Sequence, residues 1–95
     1  MEIYSSQNDV TIKGNIKSVN DFQEIKACLD DVKSQHGDIN IKIVDSLSMT
    51  SSVIGYLNKL VLKDGINLKI SIGNMQLMDL LNDLNLSSTF NAKKV

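Results

Sequence analysis

Residues 39–57 read INIKIVDSLSMTSSVIGYL, and this stretch decides the fold class. Isoleucines alternate with polar residues as far as position 43, which predicts a β-strand with one buried face. Val44 extends the apolar run, as is typical of a strand near the middle of a sheet. A polar loop over residues 45–52 follows, and the apolar pattern beyond it predicts a helix from about Ser52 to Lys63.

Strand and helix patterns continue on both sides of this stretch. Two strands are predicted around Ile3 and from Val10 to Gly14, and another at 68–72. An apolar stripe at helical spacing begins after Ser18, where Asp21 three residues on predicts a capping box. Asn74 is placed to begin a third helix, and Asn85 to end it in the left-handed conformation. We also expect a last short strand over Leu86 to Phe90, with Lys93–Val95 frayed.

The predicted order is therefore β-β-α-β-α-β-α. Strands that alternate with helices imply parallel crossovers, and helices then cover the sheet. The sequence predicts a single α/β domain over residues 1–95, with a mixed sheet of four to five strands covered by three helices. A chain of 95 residues is long enough for one compact core.

Composition excludes several classes of function. The net charge is -1, and every cation is a lysine, so the forked arginine contacts that often grip nucleic acid are missing. One Cys excludes an intrachain disulfide and a metal site built on a Cys pair, and one His excludes a zinc site built from several imidazoles. We expect no signal peptide, because residues 1–9 have neither a basic patch nor an apolar run, and no apolar stretch reaches membrane length. We therefore expect a cytoplasmic protein that binds no nucleic acid, metal or other cofactor and does not insert into a membrane.

The most unusual local feature is the cluster of hydroxyl residues at the start of the second helix, Thr50 to Ser52. Such residues are favoured there because their oxygens accept hydrogen bonds from free backbone N–H groups. A second interpretation is that one of them is phosphorylated. A phosphate would add about -1.5 to -2 charges at the positive end of the helix dipole, where a docked partner would sense them. The spacing leaves both interpretations open.

The stretch from Ile41 to Leu57 resembles the signature of STAS domains, the family of anti-sigma-factor antagonists. In that signature a strand and a short loop lead into Asp-Ser-Ser-Gly-Leu-Gly at the start of a helix. Thr50–Gly55, TSSVIG, falls on those positions without a gap. The later stretch Leu80–Phe90, LLNDLNLSSTF, is similar to the family's Leu-Leu-x-x-x-Gly-Leu-x-x-x-Phe ending, with Asn85 at the glycine position. The element order also agrees, so the resemblance covers essentially the whole chain.

The resemblance implies a STAS-like fold and a bacterial phosphoprotein that regulates transcription. In antagonist members the first Ser of the motif is phosphorylated by a kinase that is also the anti-sigma factor. The unphosphorylated antagonist binds that kinase and frees the sigma factor. By position the phosphorylated residue would be Ser51. Thr50 stands where the family motif has Asp, and Val53 stands where it has its first Gly.

The resulting hypothesis is a regulatory module that docks a protein partner through the loop and the start of the second helix. Ile54, Tyr56 and Leu62 lie outside the narrow stripe that would bury one helix face. They predict either an exposed contact patch or a helix buried on two sides. The residues expected to contact the partner are Thr50, Ser52, Val53, Ile54, Tyr56 and Asn15.

The resemblance also implies an alternative, since stand-alone STAS domains serve as non-enzymatic subunits beside transporter ATPases. Such a permanent contact would favour an apolar patch. An enzyme is not expected, because one His, one Cys and scattered Asp residues do not assemble a base, a nucleophile and an orienting group. Cys28 is expected to be a buried thiol and His36 to interact with a helix C-terminus.

Overall fold

A computed structural model describes all residues, 1–95, as five strands and three helices. The predicted α/β class with a mixed sheet and three helices is confirmed. The elements are β1 (Glu2–Ser6), β2 (Asp9–Lys13), α1 (Val19–Lys33), β3 (Asp38–Ile43), α2 (Ser51–Leu62), β4 (Asn67–Ile72), α3 (Met75–Asp83) and β5 (Ala92–Lys94).

The strands lie in the sheet in the order in which they occur along the chain, β1-β2-β3-β4-β5. β1 and β2 form an antiparallel hairpin that closes at Ser6 and Asp9, with Gln7 at a φ of 56° in the turn. The other three pairings are parallel. Each parallel pair requires a crossover, and α1, α2 and α3 are those crossovers.

One face of the sheet is buried by the helices, and the other face is bare. Crossovers of the common right-handed kind between successive strands place every helix on the same side of a sheet. The burial pattern agrees, because Ile39, Ile41 and Ile43 of β3 are buried while the residues between them are exposed. β4 repeats this alternation, with Leu68, Ile70 and Ile72 buried. The core therefore lies between the sheet and a single helix layer.

The predicted helix ends at Ser18 and Asn85 are confirmed. The Ser18 hydroxyl accepts the Asp21 N–H at 3.0 Å, and the Asp21 carboxylate accepts the Ser18 N–H at 3.1 Å, which completes the capping box. Asn85 follows α3 with a φ of 58°, and the next N–H, of Leu86, donates to the Leu81 carbonyl. This is the left-handed helix ending expected at that position.

The prediction for the last strand is wrong. Leu86–Phe90 is a series of turns, and the strand is Ala92–Lys94, paired with β4. The apolar residues of 86–90 resemble a strand because Phe90 is fully buried, but its N–H donates to the Leu86 carbonyl within the turn. The expected fraying of the last residues is also wrong, because the Val95 N–H donates to the Ile72 carbonyl at 2.9 Å.

Candidate functional site

The candidate site lies at the edge of the sheet where the parallel strands end. β2, β3 and β4 are each followed by a loop and then by a helix, so α1, α2 and α3 all begin at this edge. We call this the carboxyl edge; it comprises residues 14–19, 44–52 and 73–75. Ligands and partners of open α/β sheets usually bind at this edge, because its loops can vary in sequence while the rigid sheet holds them in place.

The long loop between β3 and α2 is fastened to the loop that precedes α1. Ser46 is the only buried polar residue of the chain. Its hydroxyl accepts the Ile16 N–H at 3.0 Å and donates to the Ser48 carbonyl at 2.7 Å. The Asp45 carboxylate accepts the Gly14 N–H at 2.7 Å. These bonds hold the two loops together as one platform.

Asn15 belongs to this platform and lies where the sequence predicts a partner contact. Its side chain is exposed, and its amide oxygen accepts the Leu47 N–H at 3.0 Å. That bond positions the loop that carries Leu47, while the amide NH₂ group of Asn15 remains at the surface. The structure therefore gives Asn15 a positioning role at the carboxyl edge.

The hydroxyl cluster divides into one capping residue and two exposed residues. Thr50 is the N-cap of α2, and its hydroxyl accepts the Val53 N–H at 3.3 Å. Ser51 and Ser52 are the first two residues of the helix, and both are exposed. The capping interpretation thus accounts for Thr50 and leaves the other two hydroxyls facing solvent.

A shallow depression of about 140 Å³ lies between the starts of α1 and α2. Ser18 lines its α1 side and is capped by Asp21, whose pKa is lowered mainly by hydrogen bonding from the Lys17 N–H. That carboxylate is therefore occupied by backbone donors at the helix start. The residues that line the depression are Lys17, Ser18, Val19, Phe22, Thr50 and Ser52.

Three large apolar side chains at the carboxyl edge face solvent. Val19 is 74% exposed, Leu47 44% and Met75 51%. They come from the starts of α1 and α3 and from the loop before α2, so all three parts of the edge contribute one. Exposed apolar residues that cluster with polar ones are typical of contact surfaces. The sequence pattern wrongly places Val19 on the buried stripe of α1 and Met75 in the core, and Leu47 lies in a polar loop without a periodic pattern.

Two of the predicted partner contacts are buried, which corrects that part of the prediction. Val53 is 1% exposed and Tyr56 6% exposed, so both belong to the core. The Tyr56 hydroxyl donates to the Asp30 carboxylate on α1, which fixes its ring between the two helices. Ile54 is half-buried, and only Leu62 of the apolar residues outside the stripe is strongly exposed. The helix is covered by both the sheet and α1, the second of the two interpretations left open by the sequence.

The acidic, His and Cys side chains are dispersed over the molecule. No three His, Cys, Asp or Glu side chains lie close enough to hold a metal ion. Cys28 and His36 are both half-buried and lie on and after α1, away from the carboxyl edge. What the edge offers chemically is a rigid surface with exposed hydroxyls, one ammonium group and apolar side chains.

No family model, curated protein or solved structure matches this chain. None of its helices has the length and apolarity needed to cross a membrane.

Proposed function

We propose that this protein is a regulatory interaction module that docks a protein partner at the carboxyl edge and is switched by phosphorylation of Ser51. The observation that carries the proposal is the exposed Ser51 hydroxyl at the first position of α2, between Thr50 and Ser52, which line a depression with the exposed Val19. Thr50 fills the cap, so phosphorylation of Ser51 would not remove a hydrogen bond that the fold needs.

The charge of a phosphate explains how such a switch would act. At the start of a helix the phosphate lies near the positive end of the dipole, so the domain itself tolerates it. A partner that buries the surface around Val19 and Leu47 must remove the phosphate from water. That desolvation costs several kcal/mol when no cation on the partner compensates it, so affinity falls steeply.

The resemblance to anti-sigma-factor antagonists supports the choice of partner. We propose that the partner is a serine kinase that also acts as an anti-sigma factor, with the unphosphorylated domain as the binding form. Thr50 in place of the motif Asp serves as the helix cap. Val53 in place of the first motif Gly is buried, so its side chain points into the core and leaves the partner surface unobstructed.

The test uses a purified anti-sigma-factor kinase from the same genome. Incubation with the kinase and ATP should add one phosphoryl group, and peptide mapping should place it on Ser51. Ser51→Asp should weaken binding of the kinase about tenfold or more, which is about 1.4 kcal/mol. Ser51→Ala should bind normally and take up no phosphate.

The matched control is Ser88→Asp, which adds the same charge to an exposed serine in the turn after α3. It should leave binding unchanged. Phosphorylation at another residue, or equal binding by Ser51→Asp and the unmodified domain, would contradict the switch.

A constitutive subunit of a transporter ATPase is the second candidate function. The observation in its favour is Leu62 at the end of α2, which is 71% exposed. The burial of Tyr56 removes one member of the patch on which this alternative depends. Binding that is insensitive to Ser51→Asp but lost in Leu62→Ser would favour the constitutive contact over the switch.

A further inference from the structure

The bare face of the sheet carries a cluster of lysines, and its position is independent of the carboxyl edge. Lys42 projects from β3, Lys69 from β4 and Lys93 from β5 on the side opposite the helices. The register places Ser71 directly beside both Lys42 and Lys93. Lys69 is therefore the diagonal neighbour of both lysines, at a Cα separation of about 7–8 Å.

These lysines have no carboxylate partner. The ion pairs of the chain closer than 4.0 Å join Lys26 and Lys33 to aspartates on the helix side. By register Asp9 is a diagonal neighbour of Lys42, and Asp38 is one of Lys69, but each carboxylate accepts a side-chain amide instead, Asp9 from Asn40 and Asp38 from Asn8, each at 3.1 Å. Lys69 has two like charges, Lys42 and Lys93, at its other diagonal positions, and their repulsion reduces the stability of the sheet. A bound anion would remove that cost.

The surface around Ser71 is shaped as two shallow depressions. One of about 300 Å³ is lined by Thr11, Asn40 and Lys42, with the Asp9 carboxylate at its β2 side, and the other, of about 290 Å³, by Lys69, Asn91 and Lys93. Ser71 lines both. Hydroxyl and amide donors thus lie beside the ammonium groups, and this combination suits phosphate oxygens.

The extent of the cluster limits the size of the anion. Lys42 and Lys93 lie two strands apart, which is about 10 Å at the usual spacing of strands. Two or three linked phosphates span that distance. A long polyanion or a flat anionic bilayer would cover Glu2, Asp9 and Asp38 of this face together with the lysines, and the net charge of -1 gives no general attraction to either.

We propose that the bare face binds a soluble ligand with a di- or triphosphate group, held by Lys42, Lys69 and Lys93 around Ser71. The site is separate from the docking surface at the carboxyl edge, so the proposal stands or falls independently of the proposed switch.

The test is a titration of the full-length protein with sodium triphosphate at low ionic strength, followed by amide NMR and calorimetry. Saturable binding should shift the backbone amides of Lys42, Lys69, Ser71 and Lys93 more than those of the helices. Lys69→Gln should weaken binding about fivefold, which is about 1 kcal/mol. Ser71→Asp puts a carboxylate among the three lysines and should weaken binding at least as much.

Lys59→Gln is the matched control, because it removes the same charge from an exposed position on α2. It should bind triphosphate like the unmodified protein. The proposal is overturned if triphosphate does not saturate, or if Lys59→Gln and Lys69→Gln weaken binding equally. It is also overturned if phosphoinositide vesicles or poly-uridine bind the lysine face and triphosphate does not.

Discussion

Gly73 occupies a position that no other residue can take in this backbone. It follows β4, and its N–H donates to the Ile43 carbonyl at 2.9 Å, which extends the β3–β4 pairing by one residue. A Cβ at this position would lie 2.0 Å from the Val44 carbonyl oxygen. The atoms that a Cβ would meet belong to the backbone of β3 and the residue after it, so no flexible side chain can move aside. The two strands can therefore lie this close only because Gly73 has no side chain.

We predict that Gly73→Ala lowers the free energy of unfolding by about 3 kcal/mol, because the strands must separate to admit the methyl group. Urea denaturation followed by circular dichroism measures the change. Gly55→Ala is the control, since a Cβ there meets nothing within 4 Å and the residue lies inside α2. The control should raise stability by about 0.5–1 kcal/mol. Similar effects of the two substitutions would contradict the contact at Gly73.

Some residue-scale features can be predicted from sequence and others cannot. The left-handed Asn85 and the Ser18–Asp21 capping box follow from residue types at fixed local spacing. The requirement at Gly73 depends on a carbonyl about thirty residues away in the chain, so no local pattern indicates it. Ser46 is similar, because its role in joining two loops requires the positions of Ile16 and Ser48.

At the scale of elements, a polar contact joins α1 and α2. The Tyr56 hydroxyl donates to Asp30, and the Lys26 ammonium binds the same carboxylate at 2.7 Å. Burial alone would raise the pKa of Asp30, but the hydrogen bonds from Lys26 and Tyr56 outweigh it and hold the pKa below its usual value. Burial and the Asp30 hydrogen bond together raise the pKa of Tyr56.

We predict that Tyr56→Phe lowers the free energy of unfolding by about 1 kcal/mol at pH 7, since the carboxylate loses a donor. The pKa of Asp30 is lower in the folded state, so its contribution to stability is complete above the unfolded value of about 3.9 and is lost as the pH falls through the folded value. The stability difference between the protein and Tyr56→Phe should therefore be smaller at an acid pH well below about 3.9 than at pH 7.

The measurement is urea denaturation at both pH values. Tyr4→Phe is the control, because it removes the same oxygen from an exposed tyrosine on β1. It should change neither the stability nor its pH dependence. A Tyr56→Phe deficit of the same size at acid and neutral pH would show that the lost hydroxyl does not act through the Asp30 carboxylate.

The contact between Tyr56 and Asp30 explains why the sequence predicts where α2 starts better than it predicts which side chains of α2 are exposed. The loop and the cap at Thr50 follow from local residue types, and the helix begins within one residue of the expected position. Whether Tyr56 faces solvent or α1 depends on how the two helices pack, and on Phe22, whose ring meets that of Tyr56 edge-on at 6.4 Å. That packing arises from the tertiary fold, and the pattern of apolar residues left both arrangements open.

At the scale of the whole molecule, the strand order divides the surface into a face covered by helices, a bare face with lysines, and the carboxyl edge with the helix starts. Because successive strands are neighbours, the helices share one face, and the lysine cluster remains on the other. The same order collects the helix starts at the carboxyl edge, where the exposed apolar side chains lie. Sequence patterns predicted the parallel crossovers but not these surfaces, since each combines residues from several elements.

The last strand completes this arrangement, and its position leads to a prediction for the whole molecule. Ala92–Lys94 pairs with β4, Ala92 is buried, and the Val95 N–H bonds to the Ile72 carbonyl. Ending the chain after Asn91 leaves the β4 edge unpaired and should lower the free energy of unfolding by about 2–3 kcal/mol. Removing Val95 alone loses one backbone hydrogen bond and an exposed contact with the Lys94 ammonium, and should cost about 1 kcal/mol or less.

Hydrogen exchange provides a second measurement on the intact chain. The Val95 N–H should exchange more slowly than amides in the exposed turn at Gln7 and Asn8, because it is held by the Ile72 carbonyl. An amide at Val95 that exchanges as fast as that turn, together with full stability of the chain ending at Asn91, would mean that the sheet is complete with four strands. The chain that ends at Asn91 also lacks Lys93, so an anion on its bare face would be left with Lys42 and Lys69 alone. We therefore expect the shortened chain to bind triphosphate more weakly and also to be less stable.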